Sequence, residues 1–161
     1  AQQRAVREAV QRAAQAAGRA VPSLTPVDPA VGERALANEL EFLRRVHAAG
    51  GTVVPSTDVG AAPGQVPGFA LHRELALLVR AGVPASDVLQ SATRLAARTM
   101  RRDHEIGTIE AGKVADILVL DADPLVDIEA TRSARLVIKD GRVHRPEDVL
   151  ARIDTSEPAV P

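Results

Sequence analysis

Apolar residues recur at helical spacing through most of the first hundred positions and at strand spacing through the next fifty. Over residues 2–20, Val6, Ala9, Val10, Ala13 and Ala17 form a weak apolar stripe in an Ala/Arg/Gln-rich helix pattern, with Gly18 near its end. Pro22, Pro26 and Pro29 make the following stretch a loop. Leu36, Leu40, Leu43 and Val46 predict a second helix over residues 31–49, stopped at Gly50. The β-branched run Thr52-Val53-Val54 then leads to Ser56-Thr57-Asp58-Val59-Gly60. This is the pattern of a buried strand that carries a carboxylate to the C-terminal edge of a sheet, where α/β folds place ligands and chemistry. Asp58 also fits a turn or helix cap, and on these residues alone that is the simpler reading.

Residues 60–68 are a Gly/Pro loop placed to border a site. A helix follows over residues 69–80, with Leu71, Leu75, Leu78 and Val79 turned inward and Gly82 as breaker. Pro84 opens another helix that runs to Met100, with Val88, Leu89, Ala92, Leu95, Ala96 and Thr99 at helical spacing and Asp87 in its first turn. After Arg102 the period changes. Residues 107–112 read as a short strand between turns, and residues 116–121 as a strand buried on both faces. Residues 136–143 read as two strands around Asp140-Gly141, a strong hairpin signal. The tail from Asp154 is expected to fray.

Composition narrows the function classes. The 161 residues suffice for one ordinary domain or two small pieces. The apolar 45% is mostly Ala, Val and Leu, with Phe42 and Phe69 the sole aromatics, so the core must rely on close helix packing. A net charge of −1, with no basic stripe, argues against nucleic acid as a partner. Lys113 and Lys139 are the only lysines among the 20 basic residues, which points to coding bias rather than phosphate recognition. Without cysteine there is no disulfide and no thiolate metal site. No apolar run nears the ~20 residues that span a bilayer, so no membrane partner is expected. Cytoplasmic placement is the default, although a removed signal sequence would leave no trace here.

Three segments, in order, resemble the C-terminal part of the amidohydrolase superfamily, metal-dependent hydrolases built on a (β/α)8 barrel. The first is Ser56-Thr57-Asp58-Val59-Gly60. The second is Gly68-Phe69-Ala70-Leu71-His72-Arg73-Glu74-Leu75, with Ala81-Gly82-Val83 and Ser91-Ala92-Thr93-Arg94-Leu95-Ala96-Ala97 behind it. The third runs from Ile106 to Asp121 through Gly107-Thr108-Ile109-Glu110-Ala111-Gly112-Lys113, with Val137-Ile138-Lys139-Asp140-Gly141-Arg142-Val143 after it. The resemblance covers about residues 33–150 and is greatest to imidazolonepropionase-like and Xaa-Pro dipeptidase-like members.

The resemblance implies an α/β fold. Residues 1–102 would be helices and the last strand of the barrel, residues 103–150 part of a small β-sandwich, and residues 151–161 a tail. It implies that Asp58 binds a divalent metal, zinc for preference and one or two ions, and acts as general base for the attacking water. It leaves Lys113 and Asp116 to local pairing. His72, near the expected mouth, is the candidate substrate contact, although a helix-start residue bonded to its neighbours is the simpler role. His47 falls on a helix face at the surface, and His104 and His144 fall in the turn and strand region. None fits the family's His-x-His pair or its two later histidines.

A complete barrel takes roughly 250 residues. The chain therefore reads as a C-terminal fragment of a hydrolase of C–N bonds in amides, cyclic imides or dipeptides, inactive alone. The expected partners are a small amide or peptide-like substrate and the missing N-terminal part of the barrel, with homo-oligomer formation left open. A non-catalytic module that completes a barrel with a partner chain, and an independent small α+β domain, are the competing readings.

Overall fold

The computed structural model of the chain describes residues 28–59 and 68–155. The helix expected over residues 2–20, the proline loop after it, most of the Gly/Pro loop and the end of the tail lie outside the described residues. Asp28 caps the first described helix, α1 (Pro29–Ala48), its Oδ1 accepting from Ala30 N at 2.9 Å. Pro29 takes the first helical turn, where a missing N–H breaks no bond. Leu36, Leu40, Leu43 and Val46 are half-buried, as the apolar spacing predicts, while Phe42 is exposed.

Helix α2 (Phe69–Arg80) buries Leu75 and Leu78 and ends where Ala81 N and Gly82 N bond back to Leu77 O and Val79 O. Leu71, expected inward, is instead 39% exposed near the open first turn. The next helix does not run unbroken to Met100. It consists of α3 (Ala85–Gln90), a π-helical turn (Ser91–Leu95) and α4 (Ala96–Thr99). Ala96 N reaches back five residues to Ser91 O. A π turn accommodates one extra residue and rotates the face beyond it. Ala97 is therefore buried after the turn, and Thr99, expected inward, is exposed with its hydroxyl donating to Leu95 O.

Leu75, Leu78, Val83, Val88 and Ile128 form the core, with Leu43, Val53, Leu89 and Ala92 packed against it. Val88 is fully buried, and burial of such a side chain stabilises by about 1.5–3 kcal/mol. Ile128 comes from a 3-10 helix (Ile128–Arg132) in the strand-rich half. That short helix, missing from the sequence reading, is capped by Asp127, whose Oδ1 accepts from Glu129 N. It joins the two halves through one shared core.

The strand-rich half is a three-stranded antiparallel sheet of β1 (Ile117–Leu120), β2 (Ala134–Lys139) and β3 (Arg142–His144), in that order. Ile117 pairs with Ile138 and Val119 with Leu136, and a bulge follows before Leu120. The Asp140-Gly141 hairpin is present, with φ of 51° and 73° at the two turn residues, the left-handed region that Asp and Gly tolerate. Two strand expectations are corrected. β1 is covered on one face only, since Leu118 is 45% exposed: among the described residues a single layer packs on it. Residues 107–112 form turns rather than a strand, with Ile109 81% exposed and no ladder partner. Helix α5 (Pro146–Thr155), also missing from the sequence reading, starts on proline with Glu147 and Asp148 in its first turn.

Candidate functional site

Asp58 ends the run that follows α1. Residues 51–58 carry no regular secondary structure, although a strand is expected there. A parallel strand draws its ladder from neighbours, and among the described residues none pairs with this run, apart from a one-residue bridge at Val59. The run is nonetheless docked, because Val53 packs on the helical core. Asp58 itself is exposed and has φ of 48°, a conformation more accessible to Asp than to most residues. Beside it, Val59 N donates to Thr57 Oγ1 at 3.4 Å. The carboxylate thus sits where the chain turns out of the run toward segment 60–67.

His72 lies on the first turn of α2, just beyond that segment. Its Nδ1 is 3.0 Å from Thr131 Oγ1, on the 3-10 helix. Thr131 is 4% exposed, and its hydroxyl also lies 2.8 Å from Ile128 O. Burial holds the His72 imidazole below its ordinary titration range; the nearby Arg132 guanidinium acts in the same sense and Glu129 in the opposite one. Arg132 in turn stacks over the Phe69 ring at 4.3 Å and pairs with Glu129 at 3.0 Å. The first turn of α2 and the 3-10 helix are therefore held together by Phe69, His72, Thr131 and Arg132. Neither Thr131 nor Arg132 was singled out from sequence, and a Thr-Arg pair in a short connection gives no signal of it.

The remaining candidates are dispersed. His47, expected at the surface, is a third exposed and faces Asp87 Oδ2 at 3.7 Å. The two border a cleft of about 240 Å³ lined also by Gly51, Val53, Gln90 and Ser91. That cleft lies at the beginning of the 51–58 run, and Asp58 at its end is not among the lining residues. His104 is exposed beside Glu105, and His144 stands on β3 opposite Val137. Lys113 and Asp116 pair locally, as expected. Lys113 Nζ donates to Asp103 O at 2.7 Å and to Thr108 Oγ1. Asp116 takes Lys139 Nζ at 2.7 Å and Asp140 N at 2.8 Å, and the Lys139 bond above all holds its carboxyl below the usual range.

Three or more His, Asp or Glu side chains close enough to hold a metal ion do not occur among the described residues. The donors of these residues thus do not fit a complete metal centre, and Asp58 alone offers one carboxylate. No helix among the described residues is long and apolar enough to cross a membrane.

Comparison with known proteins gives this geometry its context. Residues 5–144 match the model of the Amidohydrolase family. An imidazolonepropionase of Geobacillus sp. (strain WCH70) is 31% identical over 111 residues, covering 62% of this chain and 26% of that protein. Among solved structures, a Xaa-Pro dipeptidase with methionine bound in its active site superposes with a TM-score of 0.60 at 31% identity, over 66% of this chain and 25% of that one. A molinate hydrolase superposes with a TM-score of 0.59 at 27% identity, over 74% and 29% respectively. The chain spans about a quarter of the length of these relatives. The likeness implies a TIM-barrel-type fold, of which the described residues are helices and a small antiparallel sheet. The chain belongs to the Amidohydrolase family.

Proposed function

We propose that this chain serves a hydrolase of C–N bonds in small amides, cyclic imides or dipeptides, as the part that carries the last barrel strand, its helices and half of a β-sandwich. The observation that supports the reading is the order α1, docked run, Asp58, segment 60–67, α2. It sets one exposed carboxylate at the end of a would-be parallel strand, the end at which barrel enzymes do chemistry. Run 51–58 would gain its ladder from strands supplied by the rest of the protein.

In this reading Asp58 accepts a proton from the attacking water, which an exposed carboxylate can do once the site closes around it. It is also one ligand of a divalent ion, zinc for preference, whose other ligands lie outside the described residues. Such an ion would make bound water a nucleophile near neutral pH. His72 would contact substrate through Nε2, because Nδ1 is committed to Thr131. The purified 161-residue chain is the test. Dialysed against zinc, it should neither hold the metal tightly nor hydrolyse amides; tight binding with turnover would sink the reading.

The second reading takes the chain as a subunit that completes a barrel with a partner chain. The backbone of residues 52–58, unpaired among the described residues, favours it, since such an edge accepts a strand from another chain as readily as from the same one. A neighbouring reading frame with a His-x-His motif and the remaining ligands would support this version, and its absence would count against it.

A further inference from the structure

The contact between His72 and Thr131 has a direction. A threonine hydroxyl has one hydrogen and two acceptor sites. Thr131 Oγ1 lies 2.8 Å from Ile128 O, a carbonyl that can only accept, so the hydroxyl hydrogen goes there. At the 3.0 Å contact the oxygen then has only a lone pair to offer, and the hydrogen must come from His72 Nδ1. Arg132, on the same 3-10 helix, disfavours a second proton on the ring, while Glu129 opposes it. Among the described residues Nε2 has no hydrogen-bond partner.

We propose that Thr131 is a positioning residue: it fixes His72 in the Nδ1–H form and so presents Nε2 as a hydrogen-bond acceptor to a ligand group carrying an N–H or O–H. The ligand class rests on the functional reading above, which places substrate at this end of α2. The tautomer does not. The strand-rich half, otherwise a structural appendage, thereby sets the hydrogen-bonding sense of a residue on the helical half. A ligand able only to accept hydrogen bonds finds no partner in neutral His72.

Long-range nitrogen–proton NMR spectra of the ¹⁵N-labelled 161-residue chain test this directly, with His72 assigned by His72→Gln. Above the titration range of His72, the wild-type ring should show Nδ1 as the protonated nitrogen and Nε2 as the bare one. Thr131→Ser should keep that pattern. Thr131→Val, which has no oxygen, should shift the ring toward the Nε2–H form. An Nε2–H ring in the wild-type chain overturns the proposal without any variant, and an unchanged tautomer in Thr131→Val overturns it as well. Acetamide, which carries N–H, should then move the Nε2 resonance, whereas N,N-dimethylacetamide should not. Equal response to both, or to neither, removes the ligand class. These spectra read no hydrolysis, so their failure and that of the enzymatic reading are separable.

Discussion

Gly107 sits against Ala97 so closely that a Cβ at position 107 would lie 2.6 Å from the Ala97 Cβ. The same atom would meet Thr93 O at 3.0 Å and Arg94 Cα at 3.2 Å, both backbone, and the residue has φ of 94°. The turn after Arg102 is thus keyed into the π-helical turn of the preceding helix, and only glycine fits. None of the three atoms belongs to a flexible side chain that could swing aside.

Gly107→Ala should therefore destabilise the chain by about 1–3 kcal/mol, from overpacking and a strained backbone together. Urea unfolding followed by circular dichroism measures it. A change within experimental error would mean that the turn is not seated on the π turn.

Ile128 crosses from the strand-rich half into the helical core and is 6% exposed. Ile128→Ala removes side-chain volume that the surrounding helices can only partly refill. The expected loss is about 2–5 kcal/mol. The transition of the helical half and that of the sheet should move together in denaturant, because the residue is shared. A shift of the sheet signal alone would show two independent cores.

Two groups give pH signatures of the same sign in different windows. Asp116 has a folded-state pKa below its ordinary 3.8, chiefly from the Lys139 bond and then the Asp140 amide. The stability it adds is complete above that ordinary value and disappears as pH falls through the lower folded pKa. The advantage of wild type over Asp116→Ala in urea titrations should accordingly shrink below the ordinary value. Because the pair is exposed, the effect should also weaken with added salt.

His72 acts in the same direction at higher pH. Its folded pKa is lowered from 6.5, so the unfolded chain binds a proton first and the folded state loses ground in acid. Its contribution rises as pH climbs from the lowered value through 6.5 and is level above that. In His72→Gln this segment of the stability–pH curve should flatten. A wild-type curve with no slope there would contradict the assignment.

Much of the fold is legible in residue spacing, and what is missed has identifiable causes. The Leu36–Leu40–Leu43 stripe and the Phe69–Arg80 pattern predict α1 and α2, and Asp140-Gly141 predicts the hairpin, because local periodicity and turn chemistry suffice there. The π turn escapes notice, since one extra residue in a helix leaves no mark in an Ala-rich stretch, and it misplaces Thr99. The 3-10 helix is signalled only by Asp127, a cap that serves turns equally well. Helix α5 was detectable from Pro146, Glu147 and Asp148, which form a standard helix start. The strand expected over Val53–Asp58 does not form among the described residues, because pairing is not a local property. At the site, Asp58 stands out through a family pattern, whereas the role of Thr131 depends on a contact 59 positions away in the chain.

The central claim is that Asp58 performs the proton transfer of a C–N bond hydrolase. The most direct measurement is Asp58→Asn in the protein at its natural length, as isolated from its source, assayed on small amides and Xaa-Pro dipeptides. The natural protein should hydrolyse at least one of them, and the variant should lose about 10²–10⁴-fold in rate. Hydrolysis by Asp58→Asn at an undiminished rate would contradict the account.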